Sequence, residues 1–200
     1  GLEELKEVRD IVEKADCETL YLRGNHEQDV NKPEFRQIFD QDTFGLKRTS
    51  GENFIFLDSS APELSGSRGQ VSLEQLDFLD ENLGDLEEAF VIIHHPIHYR
   101  DLSHSHFWDV YPERAFLGNK KETNNVIEEH ESVKAVFNSH VHDTDHTEYK
   151  DNHHFTNTPF ISESRDDGFN NAYTIAKIED EMEVKVFDKN GVRKQWNFEL

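Results

Sequence analysis

Cysteine, methionine and basic charge are all scarce in this 200-residue chain, and each scarcity narrows what it can be. The only cysteine, Cys17, excludes an intrachain disulfide and reads as a small core residue beside a strand. Lysine and arginine number 21 against 42 aspartates and glutamates, a net charge of −21 at pH 7. A surface of that sign repels phosphate backbones and anionic lipid, so the sequence carries no basic nucleic-acid patch. No apolar run is long enough to cross a bilayer. The acids are scattered, as in Glu3, Glu4, Glu7, Asp10 and Glu13, and read as a solvated surface. An acidic excess of this size, with modest lysine content, also resembles proteins of high-salt habitats. The compartment is left open.

Apolar residues make up 34% of the chain, less than usual. Even so, the runs at 89–93 and 133–137 are dense enough for core strands, which excludes a wholly disordered chain. The length suits one domain spanning 1–200. Leu2, Leu5, Val8, Ile11, Val12 and Ala15 recur at helical spacing and predict a helix over 2–15, followed by a strand at 19–22. A short helix at 33–39 and strands at 44–49 and 53–57 come next. Ser72 and Gln75 fit a capping box for a helix to 83, where Gly84 suits its end. Strands at 90–93 and 133–137 flank a helix at 123–131. Alternating segments follow at 146–150, 160–162, 173–178, 183–187 and 193–198, with a hairpin turn at 188–191. This order predicts an α/β layered domain with packed sheets.

Three of the predicted strands run into polar loops of related chemistry. The first ends in Gly24-Asn25-His26-Glu27, the second in His94-His95-Pro96, the third in Ser139-His140-Val141-His142. Imidazole nitrogen and carboxamide oxygen both bind borderline divalent metals. A lone His-x-His is ordinarily a solvated pair, and Gly-Asn-His is a common turn. It is the ordered set, each member closing its own strand, that points to one metal site, because α/β sheets gather ligands beyond the carboxyl ends of their strands.

These three motifs resemble those of the calcineurin-like metallophosphoesterases, usually written Gly-Asn-His-Asp/Glu, His-x-Pro and Gly-His-x-His. The similarity covers roughly the whole chain and is nearest to the branch of class III cyclic-nucleotide phosphodiesterases. Ser139 departs from the usual glycine, and Glu27 from the commoner aspartate. The resemblance implies a layered α/β/β/α sandwich and a small phosphoester substrate hydrolysed by a hydroxide bridging two divalent ions, manganese, iron, zinc or nickel. It assigns Asn25, His94 and His140 to the second metal and His142 to the first. His26 would act on the transition state or the leaving oxygen, and His95 would pack or touch substrate.

The family pattern also calls for an Asp-x-His motif and a Gly-Asp motif whose aspartate bridges the metals. Neither stands ahead of the first helix, and Gly84-Asp85 lies at the end of a later one. The resemblance therefore implies a chain that begins just after that motif and lacks the first strands. The segment 97–114, with His98, Tyr99, His104, His106, Phe107, Trp108 and Tyr111, reads either as a substrate-side wall or as a surface loop packing its aromatics. Arg100 reads as a phosphate partner or a solvated residue. Beside the hydrolase stands the alternative of a non-catalytic metal-binding module or scaffold of the same fold.

Overall fold

Apolar stretches without alternation form strands buried on both faces, and the centre of the structure is built from them. The computed structural model describes residues 1–64, 66–103, 107–141, 144–149, 152–157 and 172–200. Among these, β2 (Glu52–Leu57), β3 (Ala89–Ile93), β4 (Val133–Asn138) and β6 (Asn152–Asn157) run parallel in one sheet. β1 (Gly45–Thr49) lies antiparallel to β2 at one edge, and β5 (Thr144–Tyr149) antiparallel to β6 at the other. Successive residues of β3 serve opposite faces. Ala89, Val91 and Ile93 pack with Leu76, Leu79 and Leu83 of α3 (Leu73–Asp85) and Ile127 of α4 (Lys120–Glu128). Phe90 packs on the other side with Ala135, Phe155, Met182 and Val184. Met182 and Val184 belong to a second, antiparallel sheet of β7 (Tyr173–Ile178), β8 (Glu181–Asp188) and β9 (Gly191–Glu199).

The α/β class is thus as the sequence predicts, with helices, mixed sheet and antiparallel sheet as layers. The further helical layer of the expected sandwich is not found among the described residues, where Tyr173 and Ile175 on the outward side of β7 are exposed. The predicted segment 160–162 lies outside the described residues. β6, polar and short, gave no strand signal of its own; it forms because β4 offers it a parallel edge over Ala135–Asn138.

The strand expected at 19–22 has no sheet partner among the described residues. Side chains stand in for a ladder there. Gln41 brackets the Tyr21 peptide, Oε1 accepting from its N–H at 3.0 Å and Nε2 donating to its carbonyl at 2.7 Å. A cavity of about 630 Å³ is lined by Leu20 and Leu22 of this segment, by Ile92 and Phe137 of the mixed sheet, and by Val184 and Trp196 of the second. A second departure is Cys17, which is exposed after α1 (Leu2–Val12) and has no strand beside it among the described residues. No residue of α1 is buried, and Arg9 Nη1 ties it to the Ile38 carbonyl at the end of α2 (Lys32–Phe39) at 3.1 Å. No helix among the described residues is long and apolar enough to cross a membrane.

Two side chains fasten the loop after 19–22 to the mixed sheet. Ser72 caps α3 as predicted, accepting from the Gln75 N–H at 3.3 Å. The Gln75 side chain does not accept from the Ser72 N–H as a capping box requires, though its Nε2 lies 3.5 Å from Ser72 Oγ. It turns inward, accepting from Asp58 N–H at 2.7 Å and donating to Asp58 C=O at 2.9 Å, just beyond β2. The Asp58 carboxylate in turn holds Arg23 Nη1 at 2.8 Å, with both side chains buried, while Arg23 Nη2 donates to Val30 C=O at 2.7 Å. Breaking a buried pair from one side leaves an uncompensated charge. Arg23→Met is expected to destabilise the fold by about 3–5 kcal/mol in urea unfolding, and adding Asp58→Leu to recover most of that loss.

Candidate metal centre

Loop chemistry begins with Gly24. Its N–H donates to Glu27 Oε2 at 2.8 Å, closing the one-turn helix Asn25–Glu27 on itself and aiming Asn25 at the strand ends. A Cβ on Gly24 would sit 2.8 Å from the His94 ring, so only glycine lets the loop approach this closely. His94 directly follows β3, and its carbonyl accepts from Ser139 N–H at 3.0 Å, which locks the ends of β3 and β4 together. His140 stands two residues past β4 with φ of +72°, a left-handed conformation that costs a non-glycine residue energy and clusters at functional sites.

Asn25 Oδ1 lies 2.9 Å from His94 Nε2 and 3.0 Å from His140 Nδ1, and the two ring nitrogens are 3.2 Å apart. The tautomer of His140 follows from its other nitrogen, which donates to the Arg114 carbonyl at 2.9 Å and so leaves a lone pair on Nδ1. Asn25 Oδ1 is an acceptor too. Two acceptors therefore face each other, and one proton on His94 Nε2 can serve both only by being shared. A divalent cation satisfies all three atoms, and a carboxamide oxygen with two imidazoles is a donor set suited to manganese, iron, zinc or nickel. The residues present fit the group the family resemblance implies.

His94, His95 and His140 each offer a ring atom within 4.8 Å of the others. His95 is nonetheless a poor ligand, since both its nitrogens are engaged: Nδ1 with Ser59 Oγ at 2.8 Å and Nε2 with the Ser67 carbonyl at 3.1 Å. Burial pushes its pKa down to about 4 against the smaller upward pull of that carbonyl. His95 is a neutral packing residue, its ring 4.2 Å from that of His140. Asn25 is the better third donor. Ser59, Ser67 and Gly69 were not foreseeable as partners of His95; a Cβ on Gly69 would meet the His95 ring at 2.2 Å, and nothing local in the sequence marks that contact.

Of the residues singled out in the sequence, Asn25, His94 and His140 come together. His26 is exposed on the same turn as Asn25. His142, His104 and His106 lie outside the described residues. The segment 97–114 divides between its two readings. Trp108 and Leu102 are buried with Ala115, Phe116 and Val141, the indole lying 4.8 Å from the His140 ring and donating to Val141 C=O at 3.0 Å. Tyr99, Phe107 and Tyr111 remain exposed. Arg100, which the sequence leaves as a phosphate partner or a solvated residue, is not solvated: it is buried and ion-paired with Asp145 at 2.8 Å.

No family model matches the chain. It is 27% identical over 139 residues to a protein of Synechococcus named as a probable cyclic nucleotide phosphodiesterase. That match covers 68% of this chain and 50% of the relative, so the chain spans about half the length of the curated relative it matches. Among solved structures it is similar in fold to a dimetal phosphatase from Danio rerio, with a TM-score of 0.73 at 16% identity over 98% of this chain and 77% of that one. Both likenesses are distant, and they agree with the resemblance of the three loops to the motifs of the calcineurin-like metallophosphoesterases.

Gly24→Ala is expected to push the His94 ring away from Asn25 and weaken binding of manganese or zinc by about 10–100-fold, the range for displaced supporting contacts. Isothermal titration measures the affinity, and circular dichroism should show an unchanged fold. Unaltered affinity would mean that His94 holds no metal.

Proposed function

We propose that the chain is part of a metal-dependent phosphoester hydrolase, in which Asn25, His94 and His140 hold one of two divalent ions and His142 takes part in holding the other. The observation that carries this reading is the cluster of three metal-binding atoms within 3.2 Å of one another, drawn from three separate loops. The aspartates that the family pattern requires would come from residues beyond these 200. In support, the 630 Å³ cavity touches His94 and leaves room for further chain between segment 19–22 and both sheets. The relative's name directs attention to phosphodiesters, with cyclic nucleotides as the first substrates to try.

When bound, the divalent ions offset the charge of the phosphoryl group and lower the pKa of water. The chain's own residues do the rest. A molecule of charge −21 repels an anionic phosphoester, so the substrate's approach depends on positive charge gathered at this one place. His26, exposed beside Asn25, would give a ring proton to the leaving oxygen. Trp108 walls the back of His140 and keeps water from that side of its ring.

These 200 residues alone should bind metal weakly and turn over phosphoesters poorly. Preceded by the missing motifs, the protein should hydrolyse phosphodiesters with metal added and lose activity to a chelator. There, His94→Ala should lower metal content, with activity partly rescued by excess metal. His26→Ala should spare metal content and slow poor leaving groups more than nitrophenolate. Equal penalties for both leaving groups would remove His26 from the chemistry. Metal binding without hydrolysis of any phosphoester would favour the non-catalytic module.

A further inference from the structure

A second pair of histidines stands on different strands from the candidate centre. His146 on β5 and His153 on β6 bring Nε2 and Nδ1 within 3.2 Å of each other. The register pairs His146 with Phe155 and Glu148 with His153, so all four residues share one face of the hairpin. That face is turned toward β9. The Phe198 ring lies 3.9 Å from the His153 ring and 4.8 Å from that of His146, and Trp196 and Phe155 close in on His146 at 5.8 and 4.8 Å. Packed this way, both imidazoles are half-buried against the aromatic residues of β9.

Burial holds both rings below their ordinary pKa, outweighing the opposite pull of Glu148 on each. They are therefore neutral at physiological pH, the form in which histidine binds metal. Two nitrogens at zinc-ligand distance in a tetrahedral site lie about 3.3 Å apart, close to the spacing seen here. Glu148, opposite His153 on the same face, is exposed, and its carboxylate must turn toward the pair to join it, since it is not gathered with the two rings as it stands. A net charge of −21 also enriches cations at the surface.

We propose that His146, His153 and Glu148 form a separate site for a borderline divalent ion such as zinc, which clamps β5 to β6 over the aromatic residues of β9. Two histidines and one carboxylate leave a fourth position for water. The site is independent of the hydrolase reading, because it shares no residue with the strand-end cluster.

The test removes that cluster first. The 200-residue chain carrying His94→Ala and His140→Ala is dialysed against zinc, and bound metal is measured by mass spectrometry together with the Tm. One zinc per chain and a raised Tm are expected, both lost on adding His146→Gln or His153→Gln. At the exposed position 148, where folding is not at risk, Glu148→Gln should weaken zinc binding about tenfold. If the doubly substituted chain holds no zinc, the two rings are merely hydrogen-bonded and the proposal fails. It fails equally if zinc is retained but is indifferent to all three of these further changes.

Discussion

Asn25 Oδ1, His94 Nε2 and His140 Nδ1 meet within 3.2 Å of one another, and much of the surrounding structure serves to keep them there. The Arg114 carbonyl takes the His140 proton on the far nitrogen, which turns the lone pair inward. The left-handed backbone at His140 brings the ring back over the strand ends. On the other side, Glu27 closes the Asn25 turn, and the absence of a side chain at Gly24 admits the His94 ring. The left-handed backbone at His140 is unfavourable by itself and persists because the packing over-determines it.

The packing that does so is mostly indirect. Arg23 reaches from the loop into the protein to Asp58, and Gln75 grips the Asp58 backbone from α3, so the Asn25 loop is fixed to the sheet through α3 and the end of β2. His95 occupies the space behind the cluster as a neutral ring with both nitrogens satisfied, and Trp108 covers the other side of His140. Rigid surroundings of this kind preserve a geometry suited to a cation more firmly than loops alone would.

The opposite side of the cluster is open. Segment 19–22 has no ladder partner among the described residues, α1 buries none of its apolar residues, and a cavity of about 630 Å³ runs from Leu22 to Trp196 past His94.

The sequence by itself determined the α/β order, most helix and strand positions, and the three loops from which the cluster is drawn, because these depend on local periodicity and on motifs a few residues long. It also marked Ser72 as a cap. Tertiary structure alone decided the rest. Gln75 and Arg100 turned inward, β6 formed a parallel edge, and segment 19–22 remained outside the sheet, while Cys17 was left exposed. The division between His94 and His95 was also made there, since two adjacent histidines differ only in what their nitrogens meet: Asn25 for one, Ser59 and Ser67 for the other. Hydrogen-bond partners tens of residues away choose between such neighbours, and no local pattern encodes them.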